Sequence, residues 1–303
     1  MPDTIYSPEA PVIAADGKIT VDALLRDPLR LQKRVMNMVN QRLIAGYIFA
    51  DGAPAVGGAV IFERTLAAEG ELYTSRDVQE IEPMSEFPLL DDADSTPEVK
   101  AAAKHGGAFE VSYEQKRRNR VDVVNRKLTR LANTIVRKID LVALSELNKD
   151  QVITANAITG TSWSNPTTGN PTMDIATAAS RIDNRDLGYT SNTVLINPAQ
   201  ELALFGRKDI RDALPRENAT SNPFMSGKVN GLLGYTWVVS NRIPAGTAYV
   251  LEAKMPGSLH DEVPFYTRVT DQPRNESWLL QGARVTVPVI TEPLSVTKLT
   301  GIA

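Results

Sequence analysis

The residues best suited to chemistry are few. The 303-residue chain holds two histidines, His105 and His260, and no cysteine. Without cysteine there is no disulfide, no thiolate zinc site and no cysteine nucleophile. Catalysis needs a nucleophile with a base and an orienting group, or a bound metal. His105 stands beside Gly106-Gly107 after an Ala/Lys run, and His260 precedes Asp261-Glu262 in a polar stretch. Neither has a second ligand at metal spacing, so both read as surface or internally satisfied histidines. Asp91-Asp92-Ala93-Asp94 resembles a calcium loop only in its carboxylates, because the EF-hand glycine and closing glutamate are missing; solvated surface is the simpler reading. Gly57-Gly58 is followed by a strand pattern, whereas a phosphate cradle needs a helix N-terminus there. Asn218-Ala219-Thr220 matches a glycosylation acceptor, and nothing else points to secretion. No catalytic, cofactor or metal site is assigned, and the chain does not read as an enzyme.

Charge carries the stronger signal. The chain is 42% hydrophobic and 23% charged with a net charge of −3, enough for a large domain or two modest ones and no cationic coat. Within that balance the charge is segregated. Residues 116–138 carry nine Lys/Arg and one acid, Asp122, a net of +8. Residues 63–98 carry eleven acids against Arg64 and Arg76, a net of −9. The basic run alone is a nucleic-acid footprint. Against base reading, the cations spread around every non-apolar face, and Tyr113 is the only aromatic available for stacking. Two readings stand beside it: a solvated polar face, or a surface complementary to the acidic segment of a neighbouring copy.

The elements that position these charges follow from periodicity. Pro2, Pro8 and Pro11 make 1–26 an extended arm. Its opening is acidic and proline-rich, with no basic start before an apolar run, so it is no secretory signal. No window approaches the roughly 18 apolar residues of a membrane span, and a soluble, cytoplasm-like location is the default. Asp27-Pro28 opens a short helix to about Ala45. A strand at 59–62, a turn at 69–71 and a return strand at 72–74 form a long hairpin, which is marginal alone and must lean on something. A strand at 108–112 leads into SYEQKRRNRVDVVNRKLTRLANTIVRKIDLVALSELN, residues 112–148. Ser112 and Gln115 form a capping-box pattern. Val121, Val124, Leu128, Leu131, Ile135, Ile139 and Val142 recur every three or four residues, and Asn148 serves as C-cap, so one continuous helix is expected. Residues 154–172 read as a turn-rich linker. Helices follow at 174–181 and 198–205, with strands at 193–196, 235–240, 247–252, 263–270, 283–291 and 295–300, and a polar loop at 215–228.

In this order the features resemble the major capsid protein of tailed double-stranded-DNA bacteriophages, with its Hong Kong 97-type fold. VDVVNRKLTRLANTIVRKIDLVAL is similar to that family's spine helix. DIATAASRIDNRDLGYTSNTVLINPAQELAL and GLLGYTWVVSNRIPAGTAYVLEA are similar to its axial domain. The resemblance implies an α+β fold with an N-terminal arm and short helix over 1–50, an E-loop hairpin over 51–100, a P-domain with spine helix over 101–152, an axial A-domain over 153–260 and a return to P-domain strands over 261–303. It implies a shell subunit that assembles with itself through pentamers and hexamers into an icosahedral phage head enclosing DNA held unspecifically. It places the protein in the virion capsid, assembled in the bacterial host cytoplasm, with no cofactor and no membrane. The inter-subunit contacts expected are Glu69, Glu71, Asp77, Glu80 and Glu82 on Arg117, Arg118, Arg120, Arg126 and Arg130. The capsomer-axis loop would carry Arg216, Glu217, Asn218, Asn222 and Lys228.

Two departures bear on assembly. Some members join an E-loop lysine to a neighbour's asparagine. Asn275 lies near the acceptor position, but no lysine stands between Lys33 and Lys100, so a shell without covalent cross-links is expected, with a decoration protein as a further stabiliser. About 26 residues precede the first helix, so a separate scaffolding protein is expected, with a portal completing the head. The alternatives are an encapsulin-like protein nanocompartment and, in a different class, a DNA-binding protein built on the basic helix. Three prolines at the start disfavour the helical N-terminus of the former.

Overall fold

In the computed structural model, residues 43–65, 78–90, 97–118, 120–207 and 232–303 are described, with positions 21, 33 and 210. The fold is α+β. In chain order its elements are α1 (Ala45–Ile48), β1 (Phe49–Asp51), β2 (Ala59–Phe62), β3 (Glu98–Ala101), β4 (Ala103–Ser112), α2 (Tyr113–Arg117), α3 (Val121–Lys149), α4 (Gln151–Ala155), β5 (Ile158–Thr159), α5 (Pro171–Asp183), β6 (Thr193–Ile196), α6 (Pro198–Gly206), β7 (Thr236–Val239), β8 (Thr247–Leu251), β9 (Gly257–Gln272), β10 (Ser277–Ile290) and β11 (Val296–Thr300).

Two sheets share α3. The first has the order β1-β9-β10-β4. The second has the order β5-β11-β8-β6-β7. Along its first half α3 lays Val124, Leu128, Ala132, Ile135, Val136 and Ile139 on Val111, Phe265 and Leu280 of the first sheet. Along its second half Ala143, Leu144 and Leu147 meet Leu195, Tyr249, Leu251 and Val296 of the second. The three-or-four spacing makes this one continuous stripe that bridges both cores. Truncating one fully buried member, such as Leu128→Ala, costs about 2–5 kcal/mol. The opposite face of the second sheet is covered by Ile175, Ala178 and Ile182 of α5 and Leu204 of α6. Strand β6, the run TVLI, is therefore buried at every position, as expected for a strand covered on both faces.

The continuous helix expected between Ser112 and Asn148 is two helices. Ser112 does cap the first, its Oγ accepting from the Gln115 N–H at 3.3 Å. Arg118 then closes α2 at ψ 5°, and Arg120 leaves helical geometry at ψ 68° before α3 begins. Lys116, Arg117, Arg118 and Arg120 crowd like charges at helical neighbour spacing, which opposes a continuous turn. The 29 residues of α3 span about 44 Å. Asn148 is inside α3 rather than its cap, and its Oδ1 accepts from the buried Tyr249 hydroxyl. Asp150 ends α3 and caps α4, accepting from Val152 N–H and Ile153 N–H at 3.0 Å each.

Three further expectations need correction. The partner of the 59–62 strand is β3, with Ala59 opposite Ala101 and Phe62 opposite Glu98; the turn at 69–71 and the strand at 72–74 lie outside the described residues. The 154–172 linker contains the end of α4, strand β5 and the start of α5, whose Pro171 follows the capping Asn170. Strands β9 and β10 are longer than expected, because their pairing runs without a break in contact from Gly257–Ile290 to Gln272–Ser277, through a β-bulge near Val285. Gly257 permits this pairing, since a Cβ there would stand 2.0 Å from the Val289 carbonyl. Most of the expected helix at 27–45 and the whole loop at 215–228 lie outside the described residues.

Candidate functional site

The basic surface begins at the junction of sheet and helix. Tyr113 Oη donates to Asp271 Oδ1 at 2.5 Å, its ring sits 6.5 Å from Trp278, and the Lys116 ammonium lies 4.9 Å over the Trp278 ring. These contacts fix α2 to the β9–β10 turn. Beyond them, Arg117, Arg118, Arg120, Arg126 and Arg130 are all exposed. Among the described residues Arg126 reaches only the Asp122 carbonyl, at 3.4 Å. None of the five forms an ion pair with a described carboxylate. The expected cationic face is thus present and forms no ion pair among the described residues.

Of the acidic residues expected opposite it, Glu80 and Glu82 are described and exposed, whereas Glu69, Glu71 and Asp77 lie outside the described residues. Among the described residues neither Glu80 nor Glu82 forms an ion pair with an arginine. Residues 78–90 form no helix or strand, and turn once at the Ser85 N–H to Glu82 carbonyl bond of 3.0 Å, with Met84 at φ 74°. Phe87 is 83% exposed and Leu89 86%, and Val78 and Met84 are exposed as well. Large apolar side chains gathered on an extended acidic segment mark an interaction surface. The pattern of carboxylates in sequence pointed to this segment; its apolar content went unnoticed.

The ribbon that leads toward 78–90 is β2 with β3. A tight turn at Gly57 and Gly58, whose φ of 75° and 78° L side chains rarely adopt, leads into β2, and the ribbon's face exposes Ile61 opposite Val99. A two-stranded ribbon is marginal alone, and ion pairs clamp this one at its root. Arg64 pairs with Asp150 and, at 3.4 Å, with Glu98. Lys100 pairs with Glu146 and donates to the Pro288 carbonyl at 2.8 Å. These five side chains line a cleft of 480 Å³ between the ribbon and the end of α3. Sequence reasoning missed this clamp; the one clue was Arg64, a lone cation at the edge of the acidic run.

A second missed node is Asp140, fully buried in α3. Its Oδ1 accepts from Ile44 N–H and Ala45 N–H at 3.0 Å each, and its Oδ2 pairs with Arg242. One side chain thereby ties the start of α1, the long helix and the segment after β7. Burial, outweighing the two amides and Arg242, raises its pKa above the usual carboxylate value.

The histidines have structural surroundings. His260 bonds Ser258 Oγ and the Ala53 carbonyl, each at 2.7 Å, and its ring occupies the space that a Cβ on Gly52 would fill. His105 has its pKa lowered by burial and then by Lys138. Asn275 lies in the tight turn joining β9 to β10. Among the described residues no cluster of histidine and carboxylate groups could hold a metal, and no helix is long and apolar enough to cross a membrane. Asp91, Asp92 and Asp94, and the loop residues Arg216, Glu217, Asn218, Asn222 and Lys228, lie outside the described residues.

Comparison with known proteins adds the following. A family model described as phage capsid protein matches residues 96–299. No curated protein matches the sequence. Among solved structures, one from Microbacterium phage Oxtober96 superposes with a TM-score of 0.59 at 12% identity, covering 85% of this chain and 90% of that one. The virus-like particle from Pyrococcus furiosus gives 0.58 at 12%, covering 89% and 98%. The capsid structure of cyanophage P-SCSP1u gives 0.58 at 12%, covering 82% and 86%. At these identities the likeness is one of fold.

Proposed function

The chain belongs to the phage capsid protein family, and we propose on that premise that it is a major capsid protein. It self-assembles through pentamers and hexamers into an icosahedral head that encloses double-stranded DNA. The family is structural rather than enzymatic. In the division that this function implies, 1–50 is the arm and short helix, 51–100 the E-loop, 101–152 the P-domain with α3 as spine, 153–260 the axial domain, and 261–303 the return to the P-domain.

One observation carries the reading. The same chain presents an acidic, apolar segment at 78–90 and a basic face on α2 and α3 that do not satisfy each other internally. Two copies satisfy both if the segment of one lies on Arg117, Arg118, Arg120, Arg126 or Arg130 of the next. Repetition of that contact is what closes a symmetric shell. Each exposed pair contributes only about 0–1 kcal/mol, so the apolar side chains must supply most of the contact energy. The capsomer-axis loop spans Arg216, Glu217, Asn218, Asn222 and Lys228. DNA meets the inner surface through unspecific charge. The lysine-free stretch from 34 to 99 supports a shell without covalent cross-links.

Negative-stain micrographs of the expressed protein test this: closed particles of uniform size are expected, and a population of monomers under all conditions refutes it. The likeness to a virus-like particle supports a second reading, a protein nanocompartment. Nuclease-protected DNA in particles from infected cells separates the two, since a nanocompartment would hold protein instead.

A further inference from the structure

Among the described residues strand β4 pairs only with β10, and the sheet ends there. The hydrogen-bond parity of this edge follows from its two ends. Tyr113 N–H reaches the Glu276 carbonyl on the β10 side, and Ala102 N–H reaches the Gly58 carbonyl on the opposite side. In an antiparallel ladder the direction alternates, so odd residues of β4 face β10. Lys104, Gly106, Ala108 and Glu110 face outward. The Glu110 carbonyl takes the Lys127 ammonium, consistent with that parity. The outward amides and carbonyls of Lys104, Gly106 and Ala108 have no backbone partner among the described residues, and all three residues are exposed. The open edge is about 20 Å long at 3.4 Å per residue. An edge of this length is a template for another strand.

We infer that residues 85–89 of a second copy add to this edge as an antiparallel strand. The inference rests on the reading that 78–90 crosses to a neighbour, and it names the seat. The segment brings backbone that is in no helix or strand, whose amides at Phe87 and Leu89 have no backbone partner among the described residues. Pro88 has no N–H, which sets the register: its side of the strand must face away from the ladder. Phe87 and Leu89 then face it, opposite Gly106 and Lys104, and the Ser85 carbonyl receives the Ala108 N–H. Phe87 thereby covers Gly106, a glycine at a strand edge of the kind aromatic residues protect. Glu86 falls on the α3 side. There Leu131 lies against Gly107, with Lys127 touching the Glu110 carbonyl and Lys138 acting on His105 at either end. The carboxylate thus enters a positively bracketed groove.

The chain has no cysteine, so an engineered pair gives an unambiguous readout. Particles of the Leu89→Cys, Lys104→Cys double variant, oxidised and run without reductant, should give a ladder of covalent multimers. Each single variant should remain monomeric on the same gel. Ala108→Pro removes only the outward N–H; it should leave the unassembled subunit's melting unchanged and lower particle yield at least tenfold. Double-variant particles that run as monomers, or Ala108→Pro particles at normal yield, overturn the strand pairing while leaving the capsid reading intact. An unaltered chain that forms no particles overturns both.

Discussion

Replacing Asp140 by alanine isolates the node that joins the chain's two cores. The substitution leaves the buried N–H groups of Ile44 and Ala45 without an acceptor. Each unsatisfied buried donor costs about 1–3 kcal/mol, so the loss is about 2–6 kcal/mol. Arg242, whose side chain is 22% exposed, can turn to water and adds little. Asp140→Asn keeps an acceptor for both amides and leaves only the partly exposed Arg242 to turn to water; its cost should stay within about 1 kcal/mol. The pH dependence has a definite sign. Burial raises the folded-state pKa of Asp140 above its unfolded value. Its stabilising contribution is therefore complete at low pH and declines as pH rises through the folded value. The deficit of Asp140→Asn should be largest in acid and shrink toward neutral pH. Urea unfolding of unassembled subunit, followed by the fluorescence of buried Trp163 and Trp237, measures both variants. Equal losses for Ala and Asn, or a loss below about 1 kcal/mol for Ala, would refute the role given to the two amides.

Three further outcomes follow from the same contacts. Charge reversal at Arg126 and Arg130 together should abolish particle formation in sedimentation while changing subunit stability by less than about 0.5 kcal/mol, since both are exposed and form no ion pair with a described carboxylate. Lys100→Met, which breaks the pair with Glu146 and the bond to the Pro288 carbonyl, should cost about 1–3 kcal/mol and expose the 51–100 ribbon to limited proteolysis. Particles boiled in detergent should run as a single band near 33.1 kDa, without a covalent ladder.

Local signals in the sequence carried far. TVLI reads as a buried strand because Val, Leu and Ile follow a β-branched Thr without a break, and Asn197-Pro198 reads as a helix start because proline at N1 loses no bond. The stripe through Val124, Leu128, Ile135 and Ile139 is the core face of α3. The errors share a cause. The break near Arg118 and Arg120 depends on the competition between an apolar stripe and crowded charges, which spacing alone does not weigh. The pairing of Ala59 with Ala101 and the full length of β9 and β10 depend on partners distant in the chain. Asp140 with Ile44, and Arg64 with Asp150, join residues more than 80 positions apart. Inside helix α3 Asp140 looks like an ordinary polar-face residue, and only the fold turns it inward. The segregation of charge between 63–98 and 116–138 was legible at once; that 78–90 also exposes Phe87 and Leu89 needed the structure.

The most direct test of the account is a reconstruction of the assembled particle at a resolution that traces the backbone of residues 78–90. The account predicts this segment on an adjacent subunit, with its carboxylates beside Arg126 and Arg130 and its backbone along β4. A segment folded back over its own chain, with the basic face of α3 bare toward its neighbours, would contradict it.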